Sequence, residues 1–126
     1  MEHFYQNVGE DWMDFQELYS DMVNHFSDNS HFVEVGSWKG RSASYMAVEI
    51  INSGKKIKFD CVDTWLGSIE HIEPSSPFFV KELITDMDWL YYDFLNNSVN
   101  YKNSPTKYDF LFEDEFKKED YDGIDN

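Results

Sequence analysis

The chain has 126 residues, 41% of them hydrophobic and 18% aromatic, which suits one small folded domain and is too apolar for a disordered segment. Ten basic residues against 25 acidic ones leave a formal net charge of -15. That balance argues against a nucleic-acid or membrane-surface partner, because either would need a basic face. The single cysteine, Cys61, cannot form an internal disulfide or a cysteine-based zinc site. It reads as a buried thiol in a reducing, cytoplasmic setting. Residues 1–10 lack the cationic-then-apolar order of a signal peptide, and no apolar run approaches membrane-spanning length.

In chain order, Asp11 to Phe26 carries Trp12, Phe15, Leu18, Tyr19, Met22, Val23 and Phe26 at helical spacing, with Asp11, Asp14 and Glu17 near its start. It is expected to be an amphipathic helix that ends in the polar turn Ser27 to Ser30. His31 to Val35 is a short β-branched run and a candidate strand. Gly36 to Gly40 breaks it. Ser42 opens a second helical pattern, with Ala43, Met46, Ala47 and Ile50 on one face, and could serve as its N-cap or lie in its first turn. Asn52, Ser53 and Gly54 stop that helix. Ile57 to Val62 is a second strand and ends at Asp63. Strand, Gly turn, helix and strand in this order predict a βαβ unit with parallel strands.

Gly67 to Pro77 reads as a loop, and Phe78 to Leu95 as a further helix through Phe79, Leu83, Met87, Leu90, Tyr91 and Phe94. Residues 1–95 are therefore expected to form the folded core. Residues 96–126 read as an acidic, weakly structured tail, with Tyr108 to Phe112 the one later candidate strand. The tail carboxylates lack the fixed spacing of a calcium loop.

The informative stretch is Glu34-Val-Gly36-Ser37-Trp-Lys-Gly40-Arg-Ser42. Gly36 and Gly40 permit sharp turns and close approach of a ligand. The following helix N-terminus offers unpaired N–H groups. Asp63 ends the next strand, at the rim where ligands bind in open α/β sheets, and a carboxylate there can accept hydrogen bonds from a ribose diol.

With Cys61-Val-Asp63-Thr64-Trp65, these residues resemble the first two cofactor motifs of class I S-adenosylmethionine-dependent methyltransferases. Nearest is the group known as methyltransferase family 24, related to sugar O-methyltransferases. The resemblance covers roughly Asp11 to Gly67. It implies an α/β fold with a Rossmann-like parallel sheet, incomplete here at about half of the usual strands. It implies that Gly36, Ser37 and Gly40 form the cofactor loop, with Ser42 at the helix start. Asp63 would hold the ribose, Glu34 would support the loop or contact the methionine end, and Thr64 and Trp65 would border the adenine. The activity implied is O-methyl transfer to a small molecule or sugar.

The resemblance also implies a later Asp-x-x-His strand bearing acceptor-side groups, and no such motif follows Asp63. The chain thus reads as a truncated product, a fragment or a frameshifted form, and no catalytic residue is assigned. The plainer alternatives stand beside these readings. Asp63 could simply cap a turn, Trp65 could be a core aromatic, and Trp12 and Phe15 read as core before ligand contacts. Lys39 and Arg41 read as solvated charges, although either could reach a cofactor carboxylate. His71 reads as a solvent-facing loop histidine before it reads as a base. None of the four histidines has metal-ligand spacing, so no metal site is expected. A non-catalytic half-domain that pairs with another chain through its free sheet edge is the competing function. A nicotinamide-binding protein ranks last, because Trp38 interrupts the Gly-x-Gly-x-x-Gly pattern.

Overall fold

A computed structural model describes residues 1–97. In chain order it contains a 3-10 turn at Tyr5–Asn7, helix α1 (Gln16–His25), strand β1 (His31–Val35), helix α2 (Arg41–Ser53) and strand β2 (Lys58–Val62). Three shorter helices follow: α3 (Ile69–Ile72), α4 (Glu82–Thr85) and α5 (Trp89–Asn97). The candidate strand Tyr108 to Phe112 and the rest of the acidic tail from residue 98 lie outside the described residues.

β1 and β2 pair in parallel, in a register that sets His31 opposite Lys58 and Val35 opposite Val62. The βαβ expectation holds: both strands lie side by side and α2 connects them. The described part of the chain is thus a mixed α/β structure around a two-stranded parallel sheet. Alternation along the strands places Phe32, Glu34, Phe59 and Cys61 on one face. Phe59 and Cys61 are fully buried in a core shared with Ala43, Met46, Ala47 and Ile50 of α2. Each large apolar side chain buried there contributes about 1.5–3 kcal/mol.

The apolar stripe read for α2 is buried as expected, but Ser44, Val48 and Ile51 are buried as well. The first residues of the chain lie against this helix. The amino group of Met1 donates to Asn52, His3 bonds Glu49 and stacks on Tyr45, and Arg41 donates to the Gln6 and Val8 carbonyls. Gly54, with a φ of 72°, caps the C-terminus of α2 as its residue type predicts.

Three boundaries differ from expectation. The leading helix starts at Gln16 and not at Asp11, because residues 10–13 are drawn across the Gly turn. Glu10 bonds Trp38 and Lys39 there, and Asp11 accepts from Arg41. The helix expected over Phe78 to Leu95 is two helices. Between them Asp86 has an extended backbone, its carboxylate accepts the Asp88 N–H and its carbonyl accepts the Trp89 N–H. Asn96 and Asn97, expected to open the weakly structured tail, instead end α5, since the Asn97 amide donates to Asp93 one turn back and to the Lys39 carbonyl. Among the described residues, no helix is long and apolar enough to cross a membrane.

Candidate functional site

β1 runs into Gly36, whose φ of 86° lies in the left-handed region that glycine enters without steric cost. Its N–H donates to the Val62 carbonyl at 2.7 Å, so the two strands remain tied at their carboxyl ends. A Cβ at Gly36 would meet no heavy atom within 4 Å, which leaves open space beside the turn. Trp38 is also left-handed, with a φ of 53°. For a large non-glycine residue this conformation is strained and persists only where its surroundings fix it. Three contacts do so. Asp63 Oδ2 accepts the Trp38 backbone N–H at 2.8 Å, Glu10 accepts the indole N–H at 2.8 Å, and the ring stacks on His71 at 4.4 Å.

Asp63 Oδ1 accepts the Trp65 N–H at 2.9 Å, so the carboxylate joins its own turn to the Gly loop of the neighbouring strand. Each carboxylate oxygen keeps a further lone pair for an incoming donor. Around these groups lies a cavity of about 620 Å³ at the carboxyl ends of β1 and β2. Gly36, Asp63 and Thr64 line it, together with Trp12, Trp38, His71 and Phe78. Its size falls within the usual range for small-molecule sites. Its titratable lining is Asp63, Glu70 and His71, with no lysine or arginine.

A second cavity of about 160 Å³ shares Trp12, Gly36 and Trp38, and adds Ser37 and Ser42. Glu34 is only 8% exposed and its Oε2 accepts the Tyr19 hydroxyl at 2.6 Å. Glu34 Oε1 and Ser37 Oγ are both buried without a hydrogen-bond partner among the described residues. Burial raises the Glu34 pKa above its ordinary value, against the lowering effect of Tyr19 and of the nearby Ser37 and Ser42 hydroxyls.

The expected site residues therefore divide. Gly36, Asp63 and Thr64 meet at the larger cavity, and Ser37 and Ser42 at the smaller. Ser42 is the second residue of α2, whose N-cap is Gly40. The other three lie elsewhere, Glu34 on the wall of a separate cavity beside Tyr19 and Phe32. A Cβ at Gly40 would come within 3.0 Å of the Phe94 ring, so this glycine serves the packing of α5 on the loop. Trp65 is 1% exposed, with its ring against Phe94 and Tyr91 in the core and on neither cavity wall. Lys39 and Arg41 are not solvated charges. Lys39 pairs with Glu10 at 2.6 Å and Arg41 with Asp11 at 3.0 Å, so both are engaged by the segment before α1.

Sequence reasoning did not assign the aromatic wall of Trp12, Trp38, His71 and Phe78, and it misplaced two of these residues. Trp12 is not a helix-face residue but stacks beside Trp38 and His71. His71 is not a solvent-facing loop residue: it is 8% exposed and belongs to α3. The signal for His71 was its spacing of three from Ser68, a helix-start pattern in which the third residue bonds back to the cap. Among the described residues, no group of three His, Cys, Asp or Glu side chains is arranged to hold a metal ion. No family model matches the chain, and no curated protein or solved structure matches it.

Proposed function

We propose that this chain binds S-adenosylmethionine in the cavity of about 620 Å³, as the cofactor-binding part of a Rossmann-like class I methyltransferase acting on a small-molecule acceptor. The observation that carries the reading is the meeting of the Gly36 turn and Asp63 on one rim of a parallel strand pair. The residues present fit that ligand. Asp63 retains acceptor capacity for a ribose diol, Gly36 leaves room for close approach, and Trp12, Trp38 and Phe78 offer apolar faces to a flat base. A cavity lined by Asp63 and Glu70 without a basic residue also suits a cationic sulfonium better than a phosphate-bearing cofactor. Bound there, the cofactor supplies a methyl group already activated by its sulfonium, so the work of the protein is chiefly alignment.

Calorimetry with S-adenosylhomocysteine tests the reading. Asp63→Ala should weaken binding by about 1.5–3 kcal/mol, the loss of charge-assisted bonds. Because Asp63 also holds the loop, Asp63→Asn is measured beside it. The amide can still accept one backbone N–H but lacks the charge, and it should fall between the other two proteins. Equal affinities in all three would remove Asp63 from the site.

A second reading, a non-catalytic half-domain that pairs with a second copy of itself, is favoured by β1. Val33 and Val35 are 55% and 79% exposed, and β1 has no neighbour but β2 among the described residues. Sedimentation across a concentration series distinguishes the two, since a monomer throughout would exclude the pairing.

A further inference from the structure

His71 is fixed from four directions. Its N–H donates to the Ser68 carbonyl at 2.9 Å, and its carbonyl accepts from Val80 at 2.8 Å. The ring stacks on Trp38 at 4.4 Å, and Nδ1 accepts the Ser68 backbone N–H at 3.0 Å. A backbone N–H can only donate, so Nδ1 must carry a lone pair. The neutral ring then bears its proton on Nε2. Nε2 has no hydrogen-bond partner among the described residues and is not sealed from solvent, while the ring lines the larger cavity.

We propose that His71 is a fixed hydrogen-bond donor to the bound ligand, presenting Nε2–H to an acceptor nitrogen of the adenine base. The proposal rests on the cofactor reading of this cavity. It assigns His71 to ligand recognition and removes it as a base. Its lone pair at Nδ1 is already committed to Ser68, and Nε2, which carries the proton, has none to take a further one with. The stack with Trp38 fixes the ring plane, so the donor is oriented before the ligand arrives and little ordering cost remains at binding.

Two substitutions separate this role from a structural one. An asparagine carbonyl can replace Nδ1 and keep the bond from Ser68, but it cannot reach the position of Nε2. A glutamine amide can reach that position but loses the Ser68 bond. Adenosine and S-adenosylhomocysteine are titrated into the wild-type chain, His71→Asn and His71→Gln, thermal unfolding is recorded for each, and the tautomer is read from the ring 15N signals of labelled histidine. The expected result is an Nε2–H tautomer, with His71→Asn losing the Trp38 stack but keeping the Ser68 bond, and binding both ligands about three- to tenfold more weakly than wild type. His71→Gln should be less stable but bind within about twofold of wild type. An Nδ1–H tautomer overturns the proposal. So does the reverse pattern, in which His71→Asn binds normally and His71→Gln does not, because His71 would then serve only the turn. Failure of the wild-type chain to bind either ligand would overturn the cofactor reading, and the assigned ligand with it. That failure is distinguishable because it appears in the wild type before any variant is compared.

Discussion

Burial of Glu34 next to the Gly36 turn raises its pKa, with desolvation outweighing the hydrogen bond from Tyr19. The unfolded chain releases this proton near 4.5, and the folded chain holds it to higher pH. Folding therefore takes up a proton between those two values. The contribution of Glu34 to stability is complete below the unfolded value and is lost as pH rises through the folded one. Glu34→Gln keeps an acceptor for Tyr19 and removes the titration. Thermal unfolding of both proteins at about pH 4 and about pH 7 should show the variant gaining on wild type at the higher pH. An unchanged difference at the two pH values would contradict the burial of this carboxylate. Asp63 differs in kind, because both of its oxygens accept backbone N–H groups, and its turn-capping and ligand-binding readings are compatible. Local sequence could identify both acids as site candidates. It could not tell which was buried, because that depends on Tyr19, fifteen residues away along the chain.

At the scale of elements, α2 and α5 meet through Gly40. This glycine is left-handed at φ 98°, with the Phe94 ring against it, and Asn97 of α5 donates to the Lys39 carbonyl one residue earlier. Gly40→Ala should destabilise the chain by about 1–3 kcal/mol, from backbone strain together with displacement of Phe94. Adding Phe94→Leu should cost less in the Gly40→Ala background than in wild type, because the smaller side chain relieves the contact but not the strain. Urea unfolding of the four proteins measures the coupling, and strict additivity would contradict the contact. The helices and strands with strong local periodicity were legible, α2 and both strands above all. The start of α1 was not, because Trp12 and Phe15 fit a helical stripe but Trp12 instead stacks on Trp38 and His71. The break between α4 and α5 turned on one Asp86 side-chain bond, which apolar spacing cannot register.

Across the whole molecule, a two-stranded parallel unit sets the Gly36 turn and Asp63 on one rim, and Trp12, Trp38, Thr64, Glu70, His71 and Phe78 are among the residues that wall the cavity around them. The rim was readable from the sequence because it needs only strand order and two punctuation points, glycine and acid. The aromatic wall was not, because it joins Trp12, Trp38, His71 and Phe78 from four separate stretches. The net charge of -15 fits the same picture, with acids at the cavity and the cations that follow the Gly36 turn, Lys39 and Arg41, held by Glu10 and Asp11. The central claim, that an adenosyl ligand occupies this cavity, is tested most directly by titrating S-adenosylhomocysteine into the 15N-labelled chain and mapping which amides shift. Saturable shifts concentrated at Gly36, Trp38, Asp63, Thr64 and His71 are the predicted result. Shifts elsewhere, or none at millimolar ligand, would contradict the account.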